Sequence, residues 1–332
     1  MTRFSILDLA HVPEGGTPGE ALANARAFAR QAEALGFHRF WMAEHHNMPG
    51  IASSATAVAL AHVAAATARI RIGAGGVMLP NHAPLIVAEQ FGTLAALHPG
   101  RVDLGLGRAP GTDARTAMAM RRDLRQASEL FPDDVVELMG FFLPPEPGQP
   151  IRAVPGAGEE VEIWILGSSL YGAQLAAHLG LPYAFASHFA PAALDAALEL
   201  YRAHFRPSAR LDRPQVMVAA GLVIGETEAE ARFIASSWQQ AFVNLRSGRP
   251  GLLPRPAEGY YESLPVQFRD LLDSVMSCAL IGTADQVKAG LDRLIERTAA
   301  DEVILTCPAH DFAARMRSLK AFAALAGLEL AA

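Results

Sequence analysis

The sequence predicts an α/β fold, a (β/α)8 TIM barrel in one domain over residues 1–332. Three observations carry that prediction. Short apolar, β-prone segments recur eight times, near residues 4, 38, 71, 103, 163, 184, 218 and 303. Helical periodicity fills most intervals between them, and eight βα units in one chain of this length point to a closed barrel before a doubly wound sheet. Several segments end in polar clusters, at the strand tips where barrels gather their chemistry.

The first strand, residues 4–9, ends in Asp8, Ala10 and His11. Thr17 and Pro18 then supply an N-cap and a first helical residue for a helix over 21–35. Gly36 closes that helix, and the second strand runs straight into Glu44-His45-His46-Asn47. Ser53 or Ser54 is expected to cap a second helix reaching Thr67. The third strand, 70–79, holds three glycines, which weaken a strand unless something approaches its backbone closely. A helix over 85–98 leads to the fourth strand, 102–107, tipped by Arg108.

Regularity lapses over 114–160, where a broken helical stretch precedes turns dense in Pro and Gly. The fifth strand, 161–166, ends in Gly167-Ser168-Ser169 before a helix over 171–179. The sixth, 182–186, is tipped by Ser187-His188-Phe189. A strand over 216–224 and a long helix from Thr227 to about Leu245 follow. Residues 248–265 form a second Pro/Gly-rich insertion, too long for a simple connection and a lid candidate. A helix over 283–298, a strand over 302–306 and a helix over 310–325 complete the chain.

Composition removes several function classes. A net charge of −6, from 28 basic and 34 acidic side chains, leaves no basic stripe for nucleic acid. No apolar run reaches the roughly 18 residues of a membrane span, and the N-terminus carries no secretory h-region. Cys278 and Cys307 lie outside any CxxC pattern and read as buried hydrophobes in a reducing compartment. A soluble, cytoplasmic protein is expected. The two lysines, Lys288 and Lys320, lie in late charge-rich helices, unsuited to Schiff-base chemistry.

The barrel would bring Asp8, Glu44/His45/His46, Gly75-Gly76, Arg108, Ser168-Ser169 and His188 to one mouth. Adjacent His45 and His46 face opposite ways on an extended strand, so no metal site is expected and one histidine serves as base or donor. The glycines at 105, 107 and 111 have the wrong spacing for a dinucleotide fingerprint. Arg108 suits an anionic group, its alternative being a salt bridge to Asp103 or Asp113. Ser168 and Ser169 at a helix start suit phosphate, their alternative being ordinary capping. Together these tips describe a pocket for a planar, phosphorylated cofactor.

Four motifs, taken in order, resemble the bacterial luciferase-like flavin monooxygenases over essentially the whole chain. They are 44–47 (Glu-His-His-Asn), 73–80, 99–113 and 166–172. The resemblance implies FMN at the barrel mouth, used reduced and supplied by a separate flavin reductase; some members use F420 instead. It implies a non-prolyl cis peptide at Gly75–Gly76 beneath the ring. Arg108, Ser168 and Ser169 would contact the phosphate, with Tyr171 and Gly172 beside it. His45 would be the catalytic base, with Glu44 beside it. A mobile lid would fall at 248–265, and homodimers would pack through early barrel helices. The expected reaction is oxygenation of a small organic substrate, with Phe189, Tyr260 and Tyr261 on the substrate wall. A metal-dependent hydrolase using Asp8, Glu44 and His45 or His46, and a flavin-binding protein without turnover, are the alternatives. Gly107 stands where the light-emitting chain carries cysteine, and Ser168 replaces an acidic residue. Light emission from a long-chain aldehyde therefore does not transfer.

Overall fold

A computed structural model describes residues 2–109, 114–120 and 124–328, without the side chains of 114 and 124–126. Among these residues nine parallel strands are formed: β1 Arg3–Asp8, β2 Arg39–Met42, β3 Arg71–Met78, β4 Val102–Gly107, β5 Glu162–Gly167, β6 Tyr183–Phe185, β7 Val216–Ile224, β8 Leu280–Gly282 and β9 Glu302–Thr306. Eight of them close a barrel in the order β6-β5-β4-β3-β2-β1-β9-β7, with β7 returning to β6. All eight expected strands are present. The ninth, β8, pairs with the far end of the long β7 at Leu222–Ile224 and stands outside the closed ring. Three residues are too short a pattern to announce a strand.

Strand parity sorts the chain into an inner and an outer core. Odd positions of β1 and β2 face the axis: Leu7, Trp41 and Ala43 join Trp164, Ala184, Met217, Ala219 and Ile304 in the interior cluster. Even positions such as Phe4, Ile6, Phe40 and Met42 face the helices. Trp41 and Trp164 meet edge to face with centroids 5.5 Å apart. Two indoles fill so much of the axis that their neighbours must be small. A Cβ on Gly73 would sit 2.8 Å from Trp41 Nε1, and one on Gly75 2.8 Å from Trp41 Cε3. Barrel packing alone thus demands two of the three glycines of β3.

Beneath the tryptophans a charged layer plugs the N-terminal end. Arg39, 1% exposed, contacts Asp103 (2.9 Å) and Glu302 (3.0 Å), both fully buried. Its guanidinium lies 4.9 Å from the Trp164 ring, and Asp103 also accepts from Trp41 Nε1 at 2.9 Å and Arg71 Nε at 2.8 Å. These carboxylates hold Arg39 charged against its burial, whereas burial pushes the Glu302 carboxyl above its usual range. Asp103 is therefore committed to the barrel floor and is no partner for Arg108. Asp113 lies outside the described residues.

The helix Pro18–Ala34 begins as expected, Thr17 and Glu20 forming a reciprocal capping box. The serines near 53 do not cap a helix. The helix starts at Thr56 behind Ala55, without a side-chain cap. Ser53 instead donates to the carbonyls of Ala43 (2.6 Å) and Leu9 (3.1 Å), tying the tips of β1 and β2 together. Ser54 donates to the carbonyl of His45.

Candidate active site

At the β2 tip, parity separates Glu44 from His45. Glu44 continues the even, outward series and is 2% exposed. Its carboxylate accepts from His46 Nε2 (2.7 Å), His82 Nε2 (2.9 Å), Asn81 Nδ2 (3.1 Å) and the Met78 backbone N–H (3.1 Å). Burial opposes ionisation, yet the hydrogen bonds from His46, His82 and Asn81 outweigh it and hold the carboxyl near 2. The same bond raises the His46 imidazole above its ordinary value. Glu44, His46 and His82 bring ligand-type atoms within 4.8 Å of one another, a spacing a cation could bridge. The hydrogen bonds already account for that arrangement. Sequence reasoning missed Asn81 and His82; the signal was a histidine in the turn directly after a strand tip.

The Glu44 backbone N–H donates to the carbonyl of Gly76 at 3.1 Å, so this carboxylate residue also braces β3. The Gly75–Gly76 peptide bond is cis, at the position the resemblance implied. The β3–β4 register shifts there, Gly75 pairing Gly105 and Val77 pairing Leu106. A Cβ on Gly76 would meet the Gly105 carbonyl oxygen at 2.7 Å.

A second group forms at the neighbouring tips of β4 and β5. The exposed Arg108 stacks its guanidinium 3.9 Å from the centroid of the Tyr171 ring. Ser168 and Ser169 are both exposed. Ser169 is the N-cap of the helix Leu170–Leu179, yet its side chain makes no capping bond. Its carbonyl accepts from the Tyr183 hydroxyl at 3.2 Å, which holds the turn against β6. Gly172 is buried, and a Cβ there would press on Gly167 Cα at 3.2 Å. A planar cation, two hydroxyls and the leading N–H groups of a ten-residue helix thus meet at one corner, a donor set that fits a phosphate dianion.

Across the mouth, His11, His45 and His188 come from the tips of β1, β2 and β6 and lie close enough to act on one another's charge. Burial, then the nearby Arg315, lowers His11 to about 4; burial, then His45 and His11, lowers His188 to about 4. Asp8 acts on His11 as well, but its carboxylate is taken up by a partner on another element. It follows the outward parity of β1 and binds Arg315 Nη2 of the last helix at 3.0 Å, both groups buried.

The expected lid is tied down along part of its length. Leu253, 3% exposed, bridges Pro13, its N–H donating to the Val12 carbonyl and its own carbonyl accepting from Glu14. Phe189 packs on Phe242 at the rim. Tyr261 turns elsewhere, its hydroxyl on Asp273 at 2.8 Å and its ring on the cluster of Phe242 and Leu272. Tyr260 opens the short helix Tyr260–Ser263, whose residues are not buried.

These histidines set an acid-side stability limit. A folded-state value near 4 against an ordinary 6.5 means the unfolded chain binds more protons between those limits. Stability is then full above about 6.5 and is lost as pH falls toward 4, by about 1.4 kcal/mol per pH unit per proton taken up. Urea midpoints should fall between pH 6.5 and 4.5, and fall less in the double variant His11→Gln/His188→Gln. Equal slopes would refute the assignment.

The luciferase-like monooxygenase family profile matches residues 2–302. A luciferase-like monooxygenase of Escherichia coli strain K12 is 49% identical over 317 residues, 96% of this chain and 95% of its own. The N-acetyl-S-alkylcysteine monooxygenase of Bacillus subtilis strain 168 is 32% identical over 316 residues, 93% of each chain. The crystal structure of apo-MsnO8 superposes with a TM-score of 0.88 at 31% identity over all of both chains. At TM-score 0.71 the fold is shared with two proteins. One is the FMN-bound oxygenating constituent of 3,6-diketocamphane monooxygenase from Pseudomonas putida, at 18% identity over 97% of this chain and 96% of that one. The other is an F420-dependent secondary alcohol dehydrogenase, at 16% over 97% and 99%. This chain belongs to the luciferase-like monooxygenase family.

Proposed function

We propose that the protein is a flavin-dependent monooxygenase that takes reduced FMN from a separate reductase and oxygenates a small organic substrate. One observation carries the choice of a phosphorylated flavin: Arg108, stacked on Tyr171, shares a corner with two exposed serines, and the Ser169 hydroxyl makes no capping bond. Arg108, Ser168, Ser169 and the first N–H groups of the helix at 170 would hold the phosphate, and the β3–β4 wall would face the ring. Bound reduced FMN would supply the electrons that activate dioxygen. His45, on the inward parity of β2, moves a proton at its imidazole. Glu44, ionised and saturated, positions His46 and the β3 wall and transfers no proton near neutrality.

Anaerobic fluorescence titration tests the cofactor. Reduced FMN is expected to bind saturably, and the His45→Ala variant to keep that affinity while losing substrate-dependent O2 consumption with a reductase and NADH. Binding of F420 in place of FMN would move the assignment to the deazaflavin branch. Flavin binding with no turnover on any substrate would leave a sensor.

A homodimer is part of the same reading. Val58 (73% exposed), Ile86 (46%) and Leu97 (65%) lie on the packed helices Thr56–Ala64 and Pro84–Leu97, an apolar surface suited to a second copy. Light scattering should give twice the chain mass, and Val58→Asp/Leu97→Asp the single mass. Two free, buried cysteines accord with a reducing cytoplasm. Among the described residues no helix is long and apolar enough to cross a membrane.

A further inference from the structure

We propose that the tips of β1, β2 and β6 form a recognition site for a carboxylate on the substrate, with His11 and His188 as its hydrogen-bond donors. This deepens the flavin reading by naming a substrate class, and rests on it only for calling the ligand a substrate.

Convergence is the first ground. Leu9, Ala43 and Ala184 all belong to the interior cluster or pack on it, so the chain leaves β1, β2 and β6 around a common space. The histidines that follow act on one another's charge. The second ground is an orphan atom. His188 Nδ1 is buried and has no hydrogen-bond partner among the described residues. Such an atom is costly to bury unless a ligand or water completes it.

The local balance of charge selects the ligand. Both carboxylates at these tips are already engaged by donors. Asp8 Oδ1 is taken by Arg315 and the Ala10 N–H, each at 3.0 Å, while Oδ2 is buried without a partner among the described residues; Glu44 is taken by four donors on the outer side of β2. The groups acting on His11 are Arg315, Asp8 and His45; those acting on His188 are His45 and His11. At the rim the exposed Arg246 guanidinium lies 5.5 Å from the ring of Phe189, the residue that follows His188. The mouth therefore offers imidazole N–H donors and a cation, and its one nearby carboxylate, Asp8, is offset by Arg315. A neutral imidazole donates one hydrogen bond, and a carboxylate strengthens that bond and favours the charged ring. Because burial holds both free rings near 4, carboxylate binding takes up protons and tightens as pH falls from neutrality.

Benzoate, with benzamide as its neutral counterpart, tests this on the full chain with and without FMN, followed by the imidazole NMR signals of His11 and His188. Benzoate is expected to shift both signals, to raise both titration midpoints and to bind more tightly at lower pH. His188→Leu should weaken it by roughly tenfold or more. His188→Gln, which keeps a donor, should recover part of the loss, and His11→Leu repeats the test at the second donor. Equal affinity for benzamide overturns the proposal, as does unchanged benzoate binding in folded His188→Leu and His11→Leu. Histidine-dependent benzoate binding without FMN affinity would instead overturn the flavin reading.

Discussion

Arg108→Ala is expected to raise the dissociation constant for reduced FMN roughly 10- to 100-fold, the loss of a charge-assisted contact worth about 1.5–3 kcal/mol. The control is riboflavin, which lacks the phosphate and should bind wild type and variant alike. That comparison separates a phosphate ligand from a residue that merely shapes the turn. The guanidinium stacks on Tyr171 at 3.9 Å, so the variant also removes a packing contact. A general collapse of the corner would weaken both flavins equally, and that result would defeat the assignment. Arg108→Lys should recover only part of the FMN affinity, because an ammonium cannot stack or fork as a guanidinium does.

Arg39→Met is expected to cost about 3–5 kcal/mol of stability, the usual penalty for stranding one side of a buried ion pair. Arg39 is 1% exposed, and Asp103 and Glu302 are fully buried. Without the guanidinium, Glu302 keeps the Ser5 hydroxyl alone among the described residues, whereas Asp103 still has Trp41 and Arg71. The double variant Arg39→Met/Glu302→Gln should therefore be more stable than the single one, since a neutral amide needs less compensation. Urea denaturation of the three proteins reads the effect. A single variant within about 1 kcal/mol of wild type would mean that water reaches this layer.

Much of this was legible in order along the chain. The eight barrel strands follow from short apolar runs between helical stretches. The capping box at Thr17 and Glu20 follows from a local rule that needs no tertiary partner. The sequence order alone brings Arg108, Ser168 and Ser169 together, because successive strands of a barrel are neighbours and their tips share one rim. What escaped detection was longer in range. Arg39 reads as an ordinary charge at a strand start, and only closure of the sheet brings it against Glu302, 263 positions away in the chain. Ser53 and Ser54 look like caps because capping is the common local use of serine, yet the strand tips beside them claim their hydroxyls.

The β2 tip shows where the division falls. Sequence alone determined that Glu44, His45 and His46 stand at the end of a buried strand and that neighbours there face opposite sides, because alternation is a property of the extended backbone. Which side is the pocket was a tertiary decision. Trp41 and Ala43 join the interior cluster, so Glu44 falls on the outer side with His46, Asn81 and His82 around it. In the same way only the tertiary structure pairs Asp8 with Arg315 of the last helix. The glycines of β3 mark a close approach in any reading; the structure adds that Asp103 and Trp41 make it at Gly73 and Trp41 at Gly75. A side chain's type and spacing state what it can do, and its partners, supplied by segments far away in the chain, decide what it does.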